Sequence, residues 1–175
     1  MNLLYSSAGL ACAALSLLAC GGAPAQPVGP APAAAPLVGD AYFAARANVL
    51  GLSPEAARAR DAGISESTPP EAAPDAMLAA NAAAVWTSLC AQCHGATGRL
   101  EGVPPTPPEA PRPRELGTTG MATGFFFGGD KMRAGLYRKI AFGQPPADKP
   151  SPMPPWAGTL SREQIWALVA HIEGL

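Results

Sequence analysis

The pentapeptide Cys90-Ala91-Gln92-Cys93-His94 has the spacing that attaches a haem covalently to a polypeptide. Two thiols three positions apart at the end of a helix lie on nearly one face, so both reach the vinyl groups on one edge of a porphyrin. The next residue, His94, turns its imidazole under the iron as the proximal ligand, and six-coordination then requires one more donor. A bare CxxC has other readings: half of a zinc site, a dithiol redox pair, or a local disulfide. Zinc would need two further ligands nearby, but the other cysteines are Cys12 and Cys20 near the N-terminus, and the other histidine is His171. A thioredoxin-type pair sits between a strand and a helix and needs no histidine after it, whereas here a helical pattern leads into Cys90 and a glycine follows His94. Haem attachment is the favoured reading.

Upstream of the pentapeptide, Leu78, Ala82, Val85, Trp86 and Leu89 fall at helical spacing behind Asp75, a plausible cap. This stripe is expected to be core. Downstream, Gly95 to Gly98 breaks the helix, and a proline-rich loop runs from Val103 to Pro113. A glycine-rich segment, Gly117 to Gly129, holds Phe125-Phe126-Phe127. Three adjacent aromatics cannot all face one way, so at least one is expected to cover a haem edge or join the core. Asp130 is expected to cap a helix carrying Met132, Leu136 and Ile140 and stopped by Gly143. Met153 lies between Pro152 and Pro154-Pro155-Trp156, a soft thioether on a proline-stiffened loop, as a distal iron ligand requires. Met121, on a glycine-flanked loop, is its main rival. The last helix opens with Ser161-Arg162-Glu163-Gln164, a capping-box pattern, and sets Ile165, Leu168, Val169 and Ile172 on one face.

Taken together, Cys90 to Arg99 and Pro111-Arg112-Pro113-Arg114-Glu115-Leu116 resemble the small class I cytochromes c. More narrowly, they are similar to single-haem subunits and domains associated with bacterial respiratory complexes. The resemblance covers residues 75–175 and nothing in 21–74. It implies an all-α fold of three to four helices around one covalent haem c, with His94 and Met153 as axial ligands. The Met153-Pro154 pair before the last helix matches the family pattern, and Trp156 is assigned to the same haem crevice. The resemblance also implies that the terminal helix crosses the haem-bearing one, bringing Val85 and Trp86 to Trp166, Leu168 or Val169. Arg112 and Arg114 are candidate partners for haem propionates, or simply structural arginines. His171 stands where relatives often carry tyrosine and reads as a packing or surface residue rather than a ligand.

Twenty-one prolines and nineteen glycines in 175 residues, with only 14% charged, describe a small, loop-rich protein with room for one compact domain and an extension. A net charge of −1 gives no reason to expect nucleic acid. Residues 1–19 resemble a signal peptide: the apolar run Leu10 to Ala19 is too short to span a bilayer. Leu17-Leu18-Ala19-Cys20 looks like a lipobox, implying cleavage before Cys20 and its lipidation; the alternative is an ordinary cleaved signal with Cys20 incidental. Either way the chain is expected on the periplasmic side of the cell envelope, where covalent haem attachment takes place. Residues 20–36 are rich in proline and alanine and read as a tether, at about 3 Å per residue when extended. Residues 37–74 are expected to be weakly helical, with Asp40 capping a helix that ends at Gly51 and Ser53-Pro54 starting another that stops at Gly63, followed by a loop from Ser65 to Pro74. They pack either on the haem domain or on a partner.

Two axial ligands leave iron no open position, so the expected job is moving one electron, as a membrane-tethered carrier or electron-transfer subunit rather than an enzyme, with no small-molecule substrate. Its partners would be redox proteins or respiratory-complex subunits. A haem catalyst or haem sensor with a labile sixth ligand is the alternative. Residues 76–175 carry nine Lys or Arg against seven Asp or Glu. Lys131, Arg133, Arg138 and Lys139 form either a docking patch for an acidic partner or a solvated helix face.

Overall fold

The computed structural model describes residues 34–105, 111–143 and 153–175. The leader, most of the tether and Cys20 lie outside them. Every regular element among the described residues is helical. Helix α1 spans Gly39–Leu50 and α2 Pro54–Ala62. The next, α3 (Ala76–Val85), continues through one π-helical turn, Trp86–Cys90, into the short α4, Ala91–His94. Helices α5 (Thr119–Phe142) and α6 (Arg162–Glu173) complete the fold.

Local chemistry sets most of the helix ends. The hydroxyl of Ser53 accepts from Ala56 N with Pro54 at the first helical position, and the carboxylate of Asp75 accepts from Leu78 N at 3.0 Å. At α6 both halves of the capping box form: Gln164 N donates to Ser161 Oγ at 3.2 Å and Ser161 N donates to Gln164 Oε1 at 3.0 Å. Gly51 closes α1 in the left-handed conformation, φ +64°.

Two starts differ from expectation. Asp40 does not cap α1, which begins at Gly39 behind Val38; Asp40 lies in the first turn and pairs with Arg58 of α2. Asp130 does not cap α5, which begins at Thr119, but stands just after the kink at Gly129, as the first residue of the second half. The segment expected to be a glycine-rich loop is the first half of α5, capped by Thr118, and Gly129 (φ +49°, ψ −132°) kinks the helix between its halves. Burial explains it: Met121 and Phe125 stand one turn apart and both enter the core, which outweighs the low helix propensity of the glycines around them. Phe126 and Phe127 are each 81% exposed, stacked edge to face.

The main core gathers Val85, Trp86, Leu116, Met121, Phe125, Tyr137, Ile140, Ile165, Trp166, Leu168 and Val169. Fully burying a large apolar side chain contributes about 1.5–3 kcal/mol, and α5 and α6 supply eight of these eleven. By length and composition the helical run Ala76–His94 would also cross a membrane; its stripe Leu78, Ala82, Val85 and Trp86 is buried inside the fold. Trp86 and Trp166 share the core as expected, but their rings pair elsewhere: Trp166 with Tyr137 at 4.6 Å, and Trp86 with His171 at 5.9 Å.

Residues 37–74 pack on the rest of the fold. Arg46 of α1, 4% exposed, donates from Nε and a terminal nitrogen to both carboxylate oxygens of Glu163 at 2.8 and 2.6 Å, and also pairs with Asp75. Tyr42 and Arg60 donate to the same Glu163 carboxylate at 2.9 and 2.8 Å. Asp61 accepts the backbone N–H groups of Arg162 and Glu163 at 3.1 and 2.8 Å, so α2 satisfies the exposed N-terminal amides of α6. Burial raises the proton affinity of Glu163, but the donors from Arg46, Arg60 and Tyr42 outweigh it and hold the carboxyl below its usual range. The loop after α2 is tied by the Trp166 indole N–H, which donates to Ser65 O at 2.7 Å.

Candidate functional site

The π-helical turn Trp86–Cys90 ends on the first cysteine of the motif, and the short α4 carries Cys93 and His94, so the first thiol is set by a locally widened helix and the second by an α-helical turn. Cys90 is half-buried, Cys93 is exposed, and both are free thiols. Burial, and then the neighbouring Cys93, pushes the Cys90 thiol up to about 12, so it stands neutral.

Two loops hold His94. The chain from Gly95 to Arg99 turns back under the motif and is crossed by residues 116 and 117: Leu116 N and Gly117 N both donate to Gly98 O, at 2.7 and 3.1 Å. The crossing is so close that a Cβ at Gly117 would stand 1.9 Å from Thr97 O, which only glycine permits. It delivers the carbonyl of Arg114 to His94 Nδ1 at 2.9 Å. A carbonyl can only accept, so Nδ1 carries the proton and Nε2 keeps its lone pair. This is the tautomer a metal needs, and the bond to the Arg114 carbonyl fixes the ring's orientation. The exposed Glu101 braces the same loop by accepting from Thr97 N and Arg99 N. Trp86 Nε1 donates to Ala96 O at 2.8 Å, tying helix and loop together.

On the other side, Met153 is partly buried and packs, with Trp156, against the apolar cluster that also takes Cys90 and Leu89. Its segment is sewn to the end of α5: Trp156 N donates to Ile140 O at 3.1 Å and Ala157 N to Ala141 O at 3.0 Å, which satisfies carbonyls at that helix end. Gly143, at φ +69°, passes so near that a Cβ would lie 2.7 Å from Met153 O. Met121, the rival thioether, is buried within the first turn of α5.

Two thiols at helical spacing, an imidazole fixed in the metal-binding tautomer, and a thioether on the same apolar cluster form a donor set that fits a covalent haem. Arg112 and Arg114 are both exposed. Arg112, 73% exposed at its side chain, lies 3.9 Å from Glu115, a surface pair of little energetic weight. Arg114 engages the site through its backbone carbonyl. That contact, the Trp86 tie and the Glu101 brace left no trace in residue type alone; only the glycine pair Gly98 and Gly117 hinted that two backbones cross here.

Trp86 also links the site to the terminal helix. Its indole centroid is 6.1 Å from the His94 ring and 5.9 Å from that of His171. Burial alone lowers the proton affinity of His171.

Residues 78–172, more than half of the chain, match the family described as cytochrome C oxidase, cbb3-type, subunit III. No curated protein and no solved structure matches the chain.

Proposed function

This chain belongs to the cbb3-type cytochrome c oxidase subunit III family, a mono-haem, class I electron-transfer domain with one covalent haem c, and from that premise we propose that it works as a periplasmic carrier or oxidase subunit with His94 and Met153 as axial ligands. When bound, a c-type haem supplies a one-electron couple at its iron. The residues of the chain do the rest. Cys90 and Cys93 anchor the macrocycle, and His94 offers Nε2 because Arg114 O occupies Nδ1. That hydrogen bond carries the proposal. Met153 is favoured as second ligand by its position on the cluster that takes Cys90 and by the backbone ties at Trp156 and Ala157. Thioether ligation and an apolar, proline-walled surround both favour the ferrous state and raise the reduction potential. Arg112 and Arg114, both exposed on the segment whose Arg114 carbonyl meets His94, are the candidates for pairing with the propionates, structural arginines being the alternative.

For the partner, charge is the guide. Of the four cations on α5, Arg133 is already engaged by Glu173 at 2.8 Å and Asp130 at 3.1 Å. Lys131 and Arg138 are exposed, and with Asp130, Ser67 and Thr68 they line a shallow cleft of about 410 Å³, two cations against one carboxylate. An acidic face of a redox partner or a neighbouring subunit suits this surface. Lipidation at Cys20, outside the described residues, would hold the domain at a membrane and raise the effective concentration of such a partner.

The test is the visible spectrum of the mature protein, oxidised and reduced, with and without carbon monoxide. A low-spin spectrum with the weak far-red sulfur-to-iron band, unchanged by carbon monoxide and lost in Met153→Ala but not in Met121→Ala, is the expected result. A high-spin spectrum or rapid carbon monoxide binding overturns the carrier reading in favour of a haem sensor or catalyst.

A further inference from the structure

We propose that His171 is the proton-accepting residue coupled to the one-electron site: its Nε2 takes up a proton on reduction and releases it on oxidation, so that the reduction potential rises as pH falls. The inference rests on the electron-transfer reading and adds a proton to it.

Among the described residues, His171 Nε2 is the one buried side-chain nitrogen or oxygen without a hydrogen-bond partner. Leaving such a group unpaired costs about 1–3 kcal/mol, and a packing residue at this place would do better as an apolar ring. The imidazole stacks on Trp86, tilted by 48°, and Trp86 lies in turn against His94. His171, half-buried, and the proximal ring thus share one indole neighbour, and that indole belongs to the core cluster with Val85, Leu168 and Ile172. A change of charge at the iron is weakly screened across such a medium.

Few other groups compete for the role. Helix α3 carries no charged side chain, and Cys90 is the only titratable group in the π-helical turn. From α5, Arg133 is held by Glu173 of α6 and by Asp130, while Lys131, Arg138 and Lys139 are exposed. Tyr137 stacks on Trp166. In the loop after His94, Arg99 and Glu101 are exposed; beyond His171, among the described residues, Glu173 is the remaining charged side chain. None of these contributes to the lowered proton affinity of His171, which comes from burial alone. Burial thus favours the neutral imidazole.

The balance is simple. One electron passes from a one-electron donor to the iron, one proton passes from water to Nε2, and both leave on oxidation. Reduction lowers the net charge of the site by one, so proton affinity is higher in the ferrous than in the ferric state. Between the two values the potential falls as pH rises, and outside them it is flat. A tenfold difference in affinity corresponds to a total change of about 59 mV for a one-electron couple.

The reduction potential of the haem-loaded full chain, titrated across roughly pH 4 to 8, should show this slope, and both His171→Gln and His171→Tyr should lose it. In the wild-type protein, NMR titration of the imidazole should give a higher pKa reduced than oxidised, a readout that needs no variant to fold. A slope persisting in both variants would assign the proton to another group, such as a haem propionate. Equal imidazole pKa values in the two oxidation states would reduce His171 to packing. Either result overturns the proposal while a low-spin, carbon monoxide-resistant spectrum leaves electron transfer standing.

Discussion

At Gly143 the backbone takes φ +69°, and a Cβ there would meet Met153 O at 2.7 Å. Gly143→Ala therefore combines left-handed strain with a push on the carbonyl of the candidate ligand. It should destabilise the protein by roughly 1–3 kcal/mol and weaken the far-red sulfur-to-iron band, read by thermal melting and by absorption of the oxidised form. Arg46 poses the opposite kind of problem. It is 4% exposed and opposes a Glu163 that is 8% exposed, so Arg46→Ala leaves a buried carboxylate with only Arg60 and Tyr42 for support. Breaking a buried pair from one side costs about 3–5 kcal/mol, and the remaining partners here bring the expected loss toward the lower figure, measurable by denaturant titration of the haem-loaded protein. Pairing Arg46→Met with Glu163→Gln should recover part of that loss, because no unpaired charge is then left inside. The haem motif itself was legible residue by residue. The Arg114 carbonyl that orients His94 was not, since any residue type offers a carbonyl and only the chain crossing at Gly98 and Gly117 brings this one into reach.

Among the helices, those whose ends depend on neighbours three or four positions away read directly from sequence: Ser53 with Pro54, Asp75, and the Ser161–Gln164 box. The first half of α5 did not, because its glycines argue locally for a loop and the burial of Met121 and Phe125 is a tertiary term. The pair α1 and α2 gives the clearest expected consequence at this scale. Its helices cover α6 through Arg46, Tyr42, Arg60 and Asp61, so a chain beginning at Asp75 loses every one of these contacts and leaves the Glu163 carboxylate and the Trp166 indole N–H without them. Residues 75–175 alone should bind haem with the same ligand bands yet unfold at a clearly lower denaturant concentration than residues 34–175. Equal midpoints would show that the extension adds nothing to stability.

For the molecule as a whole, the acid limb of stability should follow the two carboxylates held by Arg46, the buried Glu163 and the exposed Asp75. Burial raises Glu163 and Asp75, but the bonds they accept, from Arg46 above all for Glu163 and from Leu78 N and Arg46 for Asp75, hold both below the usual carboxylate range. Their folded-state proton affinity is thus lower than in the unfolded chain. The stabilisation they bring is complete above the ordinary carboxylate range and is lost as pH falls through the folded values. Chemical denaturation across that range should show stability declining on acidification, with a shallower decline in Glu163→Gln. On the docking proposed for the exposed Lys131 and Arg138, association with an acidic redox partner should slow as ionic strength rises. The double reversal Lys131→Glu, Arg138→Glu should cut the association rate roughly tenfold, measured by stopped-flow electron transfer at low salt, with little change in the absorption spectrum.

The sequence by itself determined the haem attachment, the all-helical class and most helix ends, because each rests on residues within a few positions of one another, where covalent spacing and a single hydrogen bond decide the outcome. Only the tertiary structure decided that residues 37–74 pack on the haem-bearing part, that α5 begins ten residues before its kink, and that His171 rests on Trp86. Arg46 and Glu163 stand 117 positions apart, and Trp86 and His171 lie on different helices. Whether such residues meet depends on how helices cross and which faces they bury, a property of the packed chain that no local pattern encodes.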